Sequence, residues 1–148
     1  MDNRPGMDVS TELSARRTGM SFQRTRMSAD RTLMSVIRTS LSLIGFGFTI
    51  FQVFQKLYEA EVLKSAHAAG NFGKALVLLG VVMLAVGIGY HVSFMVELRR
   101  LRAAMRNDAL IHGETGFPVS LTLIVAFLLL TIGLFAIVSM VFGVGPFH

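Results

Sequence analysis

The sequence predicts an all-α integral membrane protein, with three transmembrane helices preceded by an amphipathic cationic interfacial helix. Hydrophobic residues make up 53% of its 148 residues and charged residues only 16%, whereas soluble domains carry about 25% charged residues. Three apolar stretches, at about 39–58, 72–96 and 118–142, are each long enough to cross a hydrocarbon core of about 30 Å at about 1.5 Å per residue. An arginine-rich repeat before the first stretch predicts the interfacial helix.

The arginine repeat has a period of seven residues. An Arg-Thr pair occurs four times, and a Ser follows four residues after each of these Arg. Because a seven-residue step drifts only about 20° around an α-helix, these residues form one lengthwise polar line. The line continues, in alternating steps of four and three residues, into the first apolar stretch. We call the whole line the seam, and its members are Arg17, Ser21, Arg24, Ser28, Arg31, Ser35, Arg38, Ser42, Gly45, Thr49, Gln52 and Lys56.

The seam carries five positive charges and no acidic residue, which predicts a surface that attracts anions. The guanidinium group of Arg matches phosphate geometry, and the Ser and Thr hydroxyls are expected to add neutral donors. The residues predicted to bind an anion or a lipid headgroup are Arg17, Arg24, Arg31, Arg38, Thr32 and Thr39. The predicted membrane part of the seam consists of Ser42, Gly45, Thr49, Gln52 and Lys56.

The chain divides into three predicted parts. Residues 1–16 show no sustained apolar periodicity and are predicted to be a flexible tail. Residues 17–38 are predicted to lie at the membrane surface as the interfacial helix, with their Arg side chains among anionic headgroups. Residues 39–148 form the predicted three-helix membrane domain, in which the first part of the connection 97–117 is expected to continue the second helix.

Basic residues are unevenly distributed about the three spans. All eleven Arg lie in the N-terminal segment or in the connection 97–117, and the three Lys lie in or beside the connection 59–71. Since Lys and Arg accumulate in the cytoplasmic loops of membrane proteins, this distribution predicts a cytoplasmic N-terminus and an external C-terminus.

Several kinds of site are not predicted. The chain has no Cys, and its four His are scattered without an acidic partner at ligand spacing, so no metal site is expected. No nucleophile–base or carboxylate pair is indicated, so neither an enzyme nor a cofactor is expected. Basic charge beside apolar spans is typical of membrane topology, so no nucleic-acid partner is expected either. Tyr90 and His91 are interpreted as anchors at the membrane interface.

One stretch resembles a known family. Its residues are S-A-D-R-T-L-M-S-V-I-R-T-S-L-S-L-I-G-F-G, at positions 28–47. The two Arg-Thr pairs and the Gly pair fall at the spacing of the domain-of-unknown-function 202 family, the YidH-like bacterial inner-membrane proteins. Residues 28–142 resemble that family, although Ala29 and Asp30 stand where it usually has Asn and Glu. The resemblance implies a three-helix protein of the bacterial inner (plasma) membrane.

The family is distantly similar to the membrane domain of eukaryotic vacuolar transporter chaperone subunits. In those proteins the three-helix units form a ring, and basic residues of the first helix face a polyphosphate pathway. Arg31 and Arg38 are the positions that match the family motif. The resemblance therefore implies, by analogy, a homo-oligomer whose partner is phosphate or polyphosphate.

Two hypotheses for function remain open. The sequence favours a structural or assembly module whose cationic helix grips anionic lipid headgroups. The alternative is an oligomeric module in which several copies turn the seam inward and bind or conduct phosphate or polyphosphate, since rings of Arg or Lys select anions in pores. The first hypothesis expects the small residues Ser42, Gly45 and Thr49 to serve helix packing only.

Overall fold

The computed structural model describes residues 5–62, 67–107 and 120–142, and these residues form three helices. The helices are α1 (Pro5–Glu59), α2 (His67–Asn107) and α3 (Leu121–Phe142). All three are long and apolar enough to cross a membrane. The predicted all-α fold with three membrane helices is therefore confirmed, and the chain is a multi-pass membrane protein.

Helix α1 runs without interruption through three segments that the sequence analysis treats separately. Residues 5–16, predicted to belong to a flexible tail, are helical, and no break separates the predicted interfacial helix 17–38 from the membrane segment. Pro5 stands in the first turn, where its missing N–H costs nothing, and the Glu12–Arg16 ion pair at i,i+4 supports the next turns. Residues 1–4 of the predicted tail lie outside the described residues.

Helix α2 packs along α1 through glycines that bring the two backbones close together. A Cβ added to Gly47 would lie 2.7 Å from the carbonyl oxygen of Gly73, and a Cβ added to Gly73 would lie 2.7 Å from that of Gly47. Gly80 meets Ser40 and Ile44 in the same way, with the Ser40 carbonyl oxygen at 3.0 Å. Small residues are the usual means of close packing between membrane helices, because lipid provides no hydrophobic drive between them.

Two apolar clusters join the three helices. The first consists of Leu33, Ile37, Leu84, Ile88, Ala126 and Leu129. The second consists of Ile44, Val77, Val81 and Met140. Each cluster takes residues from α1, α2 and α3, so one face of α1 is covered along much of its length.

Helix α3 lies parallel to α1. At the start of α3, the Ser120 hydroxyl donates to Asp30; further along, Gly133 contacts Ile44. The 22 residues of α3 extend about 33 Å at about 1.5 Å per residue, which is just enough to cross a bilayer. This register matches α3 to residues 31–52 of α1, about eight residues before the predicted span 39–58. The bounds of the predicted span follow local hydropathy and stay a prediction.

The connections are shorter than expected. Since α2 begins at His67, the predicted connection 59–71 is reduced to residues 60–66, of which 63–66 lie outside the described residues. Residues 97–107 continue α2 beyond the apolar stretch, as predicted. The rest of the connection 97–117 and the last residues of the chain, 143–148, lie outside the described residues.

Candidate functional site

The seam lies on the surface of the protein. Its members from Arg17 to Thr49 are all exposed, as is Lys56, and Gln52 is half-buried. The covered face of α1 lies on the other side of the helix, where Leu33, Ile37 and Ser40 are buried. The predicted lengthwise alignment of the Arg, Ser and Thr side chains is therefore present, and α2 and α3 leave it uncovered.

The seam arginines have no acidic partner among the described residues. Neither an ion pair nor a hydrogen bond to a carboxylate is found there for Arg17, Arg24, Arg31 or Arg38. Arg16, which is off the seam, is paired with Glu12. Successive seam arginines are about 10 Å apart along the axis at about 1.5 Å per residue, close to the Debye length of about 8–10 Å. Their fields therefore overlap along the uncovered edge.

Four hydroxyls of the seam and its flank are turned into the helix. Thr32 donates to the Ser28 carbonyl at 3.1 Å and Thr39 to the Ser35 carbonyl at 3.1 Å. Ser42 and Thr49 donate to carbonyls one turn earlier, at 2.9 Å and 2.8 Å. A hydroxyl has one proton to donate, so these four groups do not offer it to an anion. The expectation that seam hydroxyls add neutral donors to an anion stays a prediction.

Arg38 lies at membrane depth. It is eight residues beyond Asp30, which contacts the start of α3, and eight residues span about 12 Å along a helix at about 1.5 Å per residue. The Arg38 side chain is exposed, so neither α2 nor α3 shields it. An arginine at the centre of a bilayer costs about 2.5–3.5 kcal/mol on insertion scales. This position therefore requires an anion, a polar neighbour or a snorkelling side chain.

The membrane end of the seam is less polar. Gly45 is exposed, and nothing lies within 4 Å of a Cβ added there. Gln52 and Lys56 lie near the level at which α3 ends. Close by, the Lys74 ammonium lies 5.4 Å from the centroid of the Phe51 ring, a cation–π distance.

A polar cluster inside the helix bundle is not predicted from the sequence. Asp30 accepts the Ser120 hydroxyl at 3.0 Å, and its Oδ1 lies 3.5 Å from Nε2 of His91. His91 is 3% exposed, so its interpretation as an interfacial anchor is wrong, whereas Tyr90 is 69% exposed. The signal available in the sequence was an acidic residue inside an arginine repeat. It did not indicate that Asp30 faces α2 and α3.

A cleft opens between α1 and α2 beside the seam. It has a volume of about 190 Å³ and is lined by Thr25, Ser28, Ala29, Thr32, Leu33, Val36, Gly87, Tyr90, His91 and Phe94. The Tyr90 and Phe94 rings stack at 6.4 Å and form one wall. Ser28 belongs to both the seam and the cleft, so the two features meet at this residue.

Metal-ligand residues do not cluster in the described part of the chain. No group of three or more His, Asp or Glu side chains there could hold an ion. His67 lies against Tyr58 at the other end of the bundle from His91. His112 and His148 lie outside the described residues.

Comparison with known proteins identifies the family. No curated protein and no solved structure matches the chain. A family model described as a domain of unknown function (DUF202) matches residues 24–106, which is 83 of the 148 residues. The match includes Arg24, Arg31 and Arg38 and the whole cleft between α1 and α2, and it ends before α3. The chain therefore belongs to the DUF202 family.

Proposed function

We propose that this protein is an oligomeric, non-enzymatic membrane module that binds phosphate-bearing anions along the seam and guides them into the membrane. Several copies place their α1 helices around a common axis with the seams inward. The N-terminal half of α1 then forms a cationic entrance, and Ser42, Gly45 and Thr49 line the narrower part that follows. Phosphate and polyphosphate are the ligands that the arginine chemistry fits.

The observation that carries the proposal is the position of Arg38. The side chain is exposed, has no acidic partner in the described part of the chain, and lies about 12 Å beyond the level of Asp30 at about 1.5 Å per residue. Facing lipid alone, this charge is unfavourable. Where several copies meet, their Arg38 side chains face one another, and the negative charge of a passing anion compensates their positive charges.

The continuity of α1 supports the same proposal. Arg17 lies 14 residues before Arg31, about 21 Å along the axis at about 1.5 Å per residue. A straight continuation of the membrane segment therefore carries Arg17 away from the headgroups, whose attraction falls off within a Debye length of about 8–10 Å. An extended cationic entrance uses an arginine at that distance, whereas a lipid anchor does not.

We further propose a bacterial inner (plasma) membrane location with the N-terminus in the cytoplasm. The eleven Arg near one side of the membrane against three Lys near the other favour this orientation. The similarity to vacuolar transporter chaperone subunits remains a prediction, and the proposal does not depend on it.

A second candidate function has its own supporting observation. Met20, Met27, Met34 and Leu41 form an exposed apolar row beside the seam. A cationic line next to an apolar row is the arrangement by which a helix binds anionic membrane surfaces. In this candidate the seam holds lipid headgroups, and the protein is a structural or assembly module.

Anion flux through reconstituted protein tests the proposal. Vesicles containing the full chain are loaded with phosphate or short-chain polyphosphate, and efflux is compared for the native protein and the Arg38→Gln variant. Arg16→Gln is the matched control, because Arg16 is an exposed arginine of the same helix that is off the seam and paired with Glu12. We expect Arg38→Gln to lose flux and Arg16→Gln to retain it.

The same proteins distinguish the two candidates. The phospholipid retained by each protein after mild-detergent extraction from mixed vesicles of phosphatidylglycerol and phosphatidylcholine measures lipid preference. The lipid-gripping module would replace the conduit if two results came together. The native protein would show no anion flux, and it would prefer phosphatidylglycerol in a way that the seam substitution Arg38→Gln abolishes. Equal flux from native protein and Arg38→Gln would remove the seam from any conducting role.

A further inference from the structure

The cleft between α1 and α2 is suited to an amphipathic ligand. Its hydroxyl-bearing residues, Thr25, Ser28 and Thr32, lie toward the N-terminal end of α1, and its apolar residues Leu33 and Val36 lie further along the helix. The change from polar to apolar follows the direction in which α1 enters the level of α3. A ligand that fills the cleft therefore meets hydroxyl-bearing residues outside the membrane core, of which Thr25 and Thr32 donate their protons to carbonyls of α1, and hydrocarbon inside it.

The level of the cleft matches the boundary of the membrane. Its residues Ala29 and Thr32 stand on either side of Asp30 in the sequence, and Asp30 accepts a hydrogen bond from Ser120 immediately before α3. The exposed Tyr90 ring stacks on Phe94 at one side of the cleft, and tyrosine is enriched at the interface between headgroups and hydrocarbon. The glycerol region of a phospholipid occupies this depth.

Positive charge lies where a phosphate would be. Ser28 lines the cleft, and Arg24 and Arg31 are its neighbours on the helix at i−4 and i+3, about 5–6 Å away between Cβ atoms. Neither arginine has an acidic partner in the described part of the chain. The mouth of the cleft is thus cationic, and its floor is apolar.

A buried polar group in the cleft lacks a partner. His91 lines the cleft and is 3% exposed, and its Nε2 makes no hydrogen bond with any described residue. The nearest charged group is Asp30, at 3.5 Å. Nε2 itself is enclosed and faces Asp30, so His91 contributes a buried polar side chain to the wall of the cleft.

We propose that the cleft binds one glycerophospholipid of the adjacent leaflet, with its phosphate at Arg24, Ser28 and Arg31 and the start of an acyl chain against Leu33 and Val36. This inference rests on the proposed function only in taking the seam arginines as phosphate ligands. It assigns Arg24 and Arg31 to a lipid headgroup and leaves Arg38 to the anion that passes between copies. The bound lipid thereby completes the covering of α1 and α2 on this side.

Lipid retention by matched variants tests the cleft. The full chain is reconstituted in vesicles of equal parts phosphatidylglycerol and phosphatidylcholine, extracted in mild detergent, and examined by native mass spectrometry. Ser28→Phe blocks the mouth of the cleft from an exposed position, and Gln23→Phe places the same side chain at an exposed position of α1 that is off the seam and outside the cleft. We expect Ser28→Phe to retain about tenfold less phospholipid, equivalent to about 1.4 kcal/mol, and Gln23→Phe to resemble the native protein.

Two results would overturn the proposal. Retention by Ser28→Phe at the native level means that the lipid is elsewhere, and an equal loss in both variants means that retention is non-specific. A photoactivatable phosphatidylglycerol on the native protein provides a measurement that needs no variant: we expect crosslinks in residues 87–94, and crosslinks confined to α3 exclude the cleft. Anion flux by Arg38→Gln is measured separately. A negative result for lipid binding in the cleft is therefore distinguished from a negative result for anion flux along the seam.

Discussion

The two sides of α1 differ in whether their side chains find contact partners within the chain. On the side facing α2 and α3, apolar side chains and glycines form close contacts, and the three helices share two clusters. On the seam side, four arginines remain exposed without acidic partners in the described part of the chain. One side is therefore satisfied within a single chain, while the other is open to its surroundings, where our proposal places an anion, lipid and other copies. Substitutions on the packed side should affect folding, and substitutions on the seam should affect binding.

The largest contrast is expected between neighbouring residues on the two sides. Leu33 is 2% exposed in the first apolar cluster, and Met34 is 39% exposed. We expect Leu33→Ala to lower the free energy of unfolding by about 2–5 kcal/mol, because it loses buried contacts and leaves a cavity, and Met34→Ala to change it by less than about 0.5 kcal/mol. Reversible unfolding in mixed micelles measures both. Equal losses would show that Met34 is also packed.

Two glycines give a smaller contrast. A Cβ at Gly47 meets the Gly73 backbone, whereas a Cβ at Gly45 meets nothing within 4 Å. We expect Gly47→Ala to destabilise the protein by about 1–3 kcal/mol through overpacking. Gly45→Ala should be neutral, or stabilising by up to about 1 kcal/mol through helix propensity. The same unfolding assay applies. Destabilisation by Gly45→Ala in vesicles but not in micelles would indicate a close contact between copies on the seam.

Two acidic residues of α1 sharpen the comparison further. Asp30 accepts the Ser120 hydroxyl and lies beside buried His91, whereas Glu12 pairs with Arg16 at the surface. We expect Asp30→Ala to cost about 1–3 kcal/mol, because it leaves polar groups unpaired inside the bundle. Glu12→Ala should cost only about 0–1 kcal/mol, the value of an exposed ion pair. Comparable losses in the unfolding assay would mean that the inner cluster does not hold α3 against α1.

The smallest effect is expected from seam hydroxyls. Ser42 and Thr49 donate to carbonyls of their own helix, so their protons are already used. We expect Ser42→Ala and Thr49→Val to leave anion flux within about twofold of native, since an effect of 0.4 kcal/mol is about twofold and surface changes stay within about 0.5 kcal/mol. Arg38→Gln in the same vesicles provides the scale. A loss of flux from Ser42→Ala as large as that from Arg38→Gln would show that the hydroxyl turns outward in the assembled protein.

The fold was largely predictable from the sequence, because its signals are local. Apolar stretches of sufficient length predict membrane helices, and the seven-residue repeat predicts which residues share an edge. The continuity of α1 is not predicted, since residues 1–16 show no sustained apolar periodicity and are expected to form a flexible tail. Helical hydrogen bonding of Ser14 and the Glu12–Arg16 pair favour helix there.

The site was predictable in part, for a different physical reason. Periodicity identifies an edge of one helix, so the alignment of Arg24, Arg31 and Arg38 followed from spacing. Depth in the membrane and the neighbours of each side chain depend on the register between helices, which a single sequence does not encode in any local pattern. Asp30 and His91 are 61 positions apart in the sequence, and only the packing of α2 on α1 brings them within 3.5 Å.

The seven-residue spacing also limits how copies can assemble. Five steps of seven lead from Arg17 to Gln52, and a shortfall of about 20° per step turns the line of side chains by about 100° around a straight helix. This is why Arg17 is exposed while Gln52 is half-buried. A straight helix of a second copy would lose contact with the seam after two or three seven-residue steps. A neighbour in contact throughout must wind around α1 in a left-handed supercoil, and an assembly built on this edge would be twisted along its length.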